Sequence, residues 1–142
     1  SAAFLSPYYD TSWLHHPHVH GGEVCGGIVS GLIGPHAPEA SRWETLWHYM
    51  QGGPGVFRGD LHFYKGEGDL RPKLARIDTK RCPVHMLTGN YDYSCKPEDT
   101  EATAAAIPGA KVQIMKGLGH FPMSEDYAAL RPYLLPVLAE FT

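Results

Sequence analysis

Two short stretches of the chain carry residue types suited to acid–base chemistry. One is NYDYS, residues 90–94, with Asp92 at its centre; the other is GLGHFPMSE, residues 117–125, which holds His120. A carboxylate that accepts the Nδ1–H of an imidazole fixes the tautomer of the ring. It also stabilises the imidazolium formed when Nε2 takes a proton from a nucleophile. An aspartate and a histidine are commonplace, and His120 alone reads equally well as a surface histidine in a turn. Its setting argues for more. Gly117 and Gly119 precede it and Pro122 follows, a mixture of permissive and fixed backbone that can aim one side chain at one point.

A second group of ligand-type residues is HHPHVHGGE, which offers His15, His16, His18 and His20 with Glu23 close by. His18 and His20 share a face if this piece is extended, and two imidazoles with a carboxylate suit zinc. The plainer reading is a histidine-rich loop that gives polar lining to a pocket, so no metal ligand is assigned and no cofactor is required. Cys25, Cys82 and Cys95 are odd in number and unpatterned, which reads as reduced thiols in a cytoplasmic protein.

The elements that must position Asp92 and His120 lie in the second half of the chain. Pro83 leads into VHMLTG, a short β-rich run, followed by the polar loop NYDYSCKPEDT. EDTEATAAA is helical, with acids in the first turn, where the helix dipole favours them. IPGA is a turn and KVQIM an alternating strand. The histidine loop follows, and EDYAALRPYLLPVLAEF is a helix that Pro132 and Pro136 are expected to kink or divide. Strands alternating with helices imply a parallel sheet with helical crossovers. Both candidate loops follow the carboxyl ends of strands, so they share one edge of the sheet, where functional groups of such sheets gather.

Residues 7–72 have a different texture, rich in Gly, Pro, His, Trp and Tyr and dense in helix breakers. The best helix there lies in PEASRWETLWHYMQGG, with Ser41 as cap and Glu44 completing a capping box. Trp43, Leu46, Trp47 and Met50 fall on one face of it. Their plain reading is core; the other is an aromatic wall over an apolar ligand.

The bulk numbers restrict the function classes. The chain of 142 residues is 43% hydrophobic and 19% charged, enough for one domain with a real core. A net charge of −3 without a basic run gives no case for nucleic acid. No apolar run approaches the ~20 residues of a membrane span. The sequence starts at Ser1 in mid-phrase, so the natural N-terminus is expected upstream.

CPVHMLTGNYDYSCKPE resembles the strand–Gly-x-x-Asp–Pro segment of α/β-hydrolases, and IPGAKVQIMKGLGHFPMSE is similar to their closing strand and histidine loop. The resemblance covers roughly residues 73–142. It implies an α/β fold, the C-terminal part of an α/β-hydrolase core, with Asp92 as the triad acid and His120 as the triad base. Tyr93 and Phe121, beside them, fit supporting roles. Residues 1–6 then look like the end of a core strand and 7–72 like a lid. The lid aromatics, Trp13, Trp43, Trp47, Tyr49, Phe57 and Tyr64, imply a small apolar or aromatic ester, lactone or related carbonyl substrate. No Gly-x-Ser-x-Gly elbow is present; the nearest mimic is GIVSG, where Ser30 comes one position late and after the wrong element. The expectation is therefore a nucleophile supplied by an N-terminal half of the same enzyme, with that half or self-association covering the open sheet edge. The rival is a non-catalytic ligand-binding protein on the same scaffold.

Overall fold

The computed structural model describes residues 16–52, 56–65 and 68–141. Trp13, His15 and the expected strand end at 1–6 lie outside the described residues, and only the backbone of Phe57 and Tyr64 is described.

Two parallel strands form the sheet. β1 is His85–Gly89 and β2 is Lys111–Met115, paired from His85↔Lys111 to Gly89↔Met115. Five helices are described with them: α1 (Gly21–Leu32), α2 (Glu39–Met50), α3 (Val56–Lys65), α4 (Pro97–Ala105) and α6 (Tyr127–Ala139). A single-turn helix, α5, covers Pro122–Glu125, and a 3-10 helix covers Arg71–Arg76. α4 is the crossover that links the strands and packs on both; α6 packs on β2. The strand–helix–strand–helix order expected from sequence is present.

α4 opens with Pro97 at its first turn, followed by Glu98 and Asp99, so missing or unpaired N–H groups and the helix dipole are both accommodated. The last helical segment does break, but not at its prolines. The break falls at Asp126, whose carboxylate accepts the Ala129 N–H at 2.9 Å and starts α6. Pro132 and Pro136 lie inside α6 without dividing it. Both are exposed, as is Ala128, so the residues whose carbonyls lose an N–H partner lie on the exposed side of α6.

The stretch expected to be irregular, GGEVCGGIVSGL, is instead helix α1. His20 caps it, its Nδ1 accepting the Glu23 N–H at 3.3 Å. Five glycines in twelve residues argue against a helix on propensity alone. Packing overrides this: a Cβ at Gly22 would sit 2.6 Å from the Met50 carbonyl, and one at Gly26 3.0 Å from the Met50 side chain. The glycines are the groove in which the end of α2 rests.

α2 starts earlier than the Ser41 cap predicts, at Glu39 after Pro38. The backbone carbonyl of Ser41, not its hydroxyl, is the group engaged, by Thr45 Oγ1 at 2.9 Å. The expected core face of α2 is also reversed in part. Trp43 and Trp47 are 64% and 62% exposed, while Thr45 is buried. The Thr45 hydroxyl satisfies itself on Ser41 and on Ser124 Oγ at 3.0 Å, so a polar residue takes the inner position.

Two apolar clusters make the core. Val29, Leu32, Ile33 and Phe121 form one, between α1, α2 and the histidine loop. Met115, Leu118 and Leu130 form the other, between β2 and α6. No helix among the described residues is long and apolar enough to cross a membrane.

Candidate active site

The loops after β1 and β2 are zipped together beyond the sheet. The Asn90 N–H donates to the Met115 carbonyl and the Tyr91 N–H to the Leu118 carbonyl, both at 3.0 Å. Asn90 Oδ1 accepts the Gly117 N–H at 2.7 Å. Asp92, next in line, closes a turn on itself: Oδ1 accepts the N–H groups of Ser94 at 2.9 Å and Cys95 at 2.8 Å. This leaves Oδ2 turned to the other loop, 2.7 Å from His120 Nδ1.

The histidine is held just as firmly. Leu118 is buried in one core cluster and Phe121 in the other, so the loop is pinned on both sides of His120. The His120 N–H donates to the Leu32 carbonyl at the end of α1 at 2.9 Å. Glu125, fully buried, takes the Gly34 N–H on Oε2 at 2.9 Å and the Gly119 N–H on Oε1. One carboxyl group thus ties the segment after α1 to the histidine loop. Glycine at 119 is required by this crowding: a Cβ there would press on the Leu32 carbonyl and stand 2.5 Å from the Gly34 amide.

Asp92 is buried and His120 partly open, its side chain 30% exposed. Burial acts most strongly on Asp92 and pushes its pKa up. The His120 hydrogen bond, the Cys95 N–H, the imidazole charge and the Ser94 N–H together outweigh it and hold the carboxyl below its ordinary value. His120 is pushed up to about 9, chiefly by the Asp92 hydrogen bond and then by the neighbouring Cys95 thiol, against the effect of burial. The same contact with His120 lowers the Cys95 pKa, opposed by burial and by the Asp92 charge.

A cleft of about 410 Å³ opens beside the pair. Asp92, Cys95 and His120 line one part of it, and the rest runs along the whole of β1, His85–Gly89, with Met115 and Met123. No phenylalanine, tyrosine or tryptophan is among the described lining residues. Trp43 and Trp47 point to solvent on α2. Tyr93 is largely exposed, with its hydroxyl against Gly31 of α1. Phe121 is a core residue whose ring meets His120 edge-on at 4.7 Å and Tyr49 at 4.9 Å.

The other candidates separate from this site. Ser30 is exposed on α1, away from any strand-to-helix elbow. His20 caps α1, and His16 Nδ1 accepts the His18 N–H at 3.3 Å, so these imidazoles serve local backbone. Cys95 is the residue whose place the sequence did not reveal. Its signal is the spacing Asp-x-x-Cys: an aspartate that caps the amide three residues on brings that side chain back beside its own.

No protein-family model matches the chain, and no curated protein matches it. Among solved structures it is similar to a thermophilic esterase from Thermogutta terrifontis, with malate bound, at a TM-score of 0.71 and 16% identity over 89% of this chain and 47% of that one. It is also similar to an enzyme described as degrading N-acyl homoserine lactones, at a TM-score of 0.64 and 18% identity over 94% of this chain and 54% of that one. The chain therefore spans about half the length of these structures. At such identities the likeness speaks for architecture, and with the order strand, acid loop, helix, strand, histidine loop, helix it shows that the chain has the fold of the C-terminal part of an α/β-hydrolase.

Proposed function

We propose that these 142 residues are the acid-and-base portion of a hydrolase acting on a small apolar or aromatic ester, lactone or related carbonyl compound. The observation that carries this reading is the 2.7 Å contact between Asp92 Oδ2 and His120 Nδ1 at the carboxyl ends of two parallel strands. In this reading Asp92 fixes the ring with its proton on Nδ1. In the neutral ring, the form that gains as pH rises through about 9, Nε2 then takes the proton of a nucleophile, returns it to the leaving group, and next activates the water that releases the acyl product.

The nucleophile comes from outside these residues, from an N-terminal half, because Ser30 lies within helix α1 and not on a strand-to-helix elbow. That half also pairs with the free edge of β1, which the two-stranded sheet leaves without a neighbour among the described residues. Residues 7–72 act as the lid, and its attachment through Glu125 and the Leu32 carbonyl fixes the lid's base to the histidine loop. The similarity to an esterase and to an enzyme that degrades N-acyl homoserine lactones supports a carbonyl substrate.

The test is turnover of p-nitrophenyl acetate and of an N-acyl homoserine lactone by protein carrying the upstream half together with these residues. His120→Ala is expected to abolish it with the fold intact. A His120→Ala protein that kept most of its kcat would overturn the assignment.

A further inference from the structure

Besides the Asp92–His120 pair, the same corner of the molecule holds a third donor of a different kind. The Cys95 sulfur, a carboxylate oxygen of Asp92 and a ring nitrogen of His120 all lie within 4.8 Å of one another. They are the set of three among the described residues that could close on one ion; the histidine run at 16–20 does not form such a set. We propose that Asp92, Cys95 and His120 form a binding site for a zinc-class divalent cation.

The donor chemistry selects the ion. Thiolate and imidazole ligands suit zinc and are poor partners for magnesium or calcium, which prefer all-oxygen sets. Three protein ligands with a fourth position open to the cleft give the tetrahedral arrangement zinc adopts. Bonds of about 2.0–2.3 Å put tetrahedral donors roughly 3.3–3.6 Å apart, so a set already inside 4.8 Å closes by small side-chain rotations. The surroundings are rigid where they need to be. The Asp92 carboxylate is oriented by the Ser94 and Cys95 N–H groups, and the Cys95 carbonyl is fixed by Thr88 Oγ1 at 3.0 Å. Cys95 and His120 are only partly buried and border the cleft, which gives the ion its path in.

The site uses the two side chains assigned to acid–base work, so a bound cation and turnover exclude one another. That consequence rests on the hydrolase reading; the binding itself does not.

Cobalt(II) is the probe, because thiolate coordination gives it a near-ultraviolet charge-transfer band and tetrahedral geometry gives it strong visible bands. The protein is expected to take up one cobalt with both signatures, and zinc is expected to displace it. Cys95→Ser is expected to remove the charge-transfer band and to weaken zinc by more than the roughly 10–100-fold that loss of an outer partner costs. Cys25→Ser and Cys82→Ser are expected to keep both. Circular dichroism checks each fold, and Cys95→Ala replaces Cys95→Ser if the latter does not fold. Absence of the band from folded protein, or its survival in Cys95→Ser or Cys95→Ala, overturns the proposal. Because the readout is spectroscopic, protein that carries the upstream half, is inactive when free of metal, and still binds cobalt through Cys95 sinks the hydrolase reading and leaves this one standing.

Discussion

Glu125 offers the sharpest test of how the histidine loop is held. Its carboxyl group is wholly buried, and its two oxygens take N–H groups from Gly34 and Gly119, one from the helical region and one from the loop. Glu125→Ala strands both donors in the interior. Each buried, unsatisfied N–H costs about 1–3 kcal/mol, so the loss is about 2–6 kcal/mol before any cavity is counted. Against a total stability of about 5–15 kcal/mol, this is enough to loosen or unfold the protein. Glu125→Gln keeps the shape and one acceptor but turns an NH₂ donor toward an N–H, so it loses about half as much, about 1–3 kcal/mol. At roughly 2–4 °C per kcal/mol for a chain of this size, Glu125→Gln is expected to melt roughly 2–12 °C lower and Glu125→Ala further still. Thermal unfolding followed by circular dichroism measures the shifts. The His120 Nδ1–H proton resonance, expected far downfield while Asp92 accepts it, reports whether the loop has moved. A Glu125→Ala protein that melted within about 1 °C of the parent would refute the reasoning, since a fully buried acceptor of two N–H groups cannot be removed that cheaply.

Gly119→Ala is expected to cost about 1–3 kcal/mol or more, because its methyl would meet the backbone of Leu32 and Gly34, which cannot rotate away; urea unfolding checks it. In protein carrying the proposed upstream half, Asp92→Asn is expected to lower kcat by roughly 10⁴ while leaving a measurable rate, and equal rates for Asp92→Asn and the parent would remove Asp92 from the proposed role. With a chelator present, the His120 ring is expected to titrate near pH 9 by NMR, and a midpoint near 6.5 would count against its pairing. The sign for stability follows. The raised His120 pKa contributes fully below about 6.5 and is lost as pH rises through about 9. The lowered Asp92 pKa contributes above about 3.9 and is lost as pH falls through its folded value. Stability from the pair is therefore greatest between about pH 4 and 6.5, which melting temperatures across that range will show.

The sheet and both loops were legible in the sequence because each is coded locally. HMLTG and KVQIM are short β-forming runs bounded by turns, and Asp92 and His120 follow them directly. What stayed hidden depends on contacts between distant segments. α1 contradicts its glycine content because Gly22 and Gly26 meet Met50, a partner no local pattern names. The inner face of α2 is not the apolar one because its innermost residue is Thr45, whose hydroxyl donates to the Ser41 carbonyl and is hydrogen-bonded to Ser124 Oγ. Trp43 and Trp47 are apolar at helical spacing, yet that spacing fixes only that they share a face, not which face turns inward.

The histidine loop shows both regimes in nine residues. Its glycines and proline advertise an unusual backbone, and the chain meets that need in the sequence itself. The reason for the backbone is not local. Leu118 belongs to the core under α6 and Phe121 to the core under α1 and α2, so only two residues, Gly119 and His120, cross from one to the other. Crossing leaves no room for a side chain at 119, and it turns the Gly119 N–H inward, where it needs an acceptor. Glu125 supplies that acceptor six residues later, at the end of α5, and takes the Gly34 N–H with its second oxygen. His120 is then the one residue of the crossing with a free direction, and Asp92 at 2.7 Å takes it. The imidazole is aimed by two hydrophobic clusters and a buried carboxyl group, and for that reason the Glu125 substitution, which touches neither Asp92 nor His120, is expected to disturb their hydrogen bond.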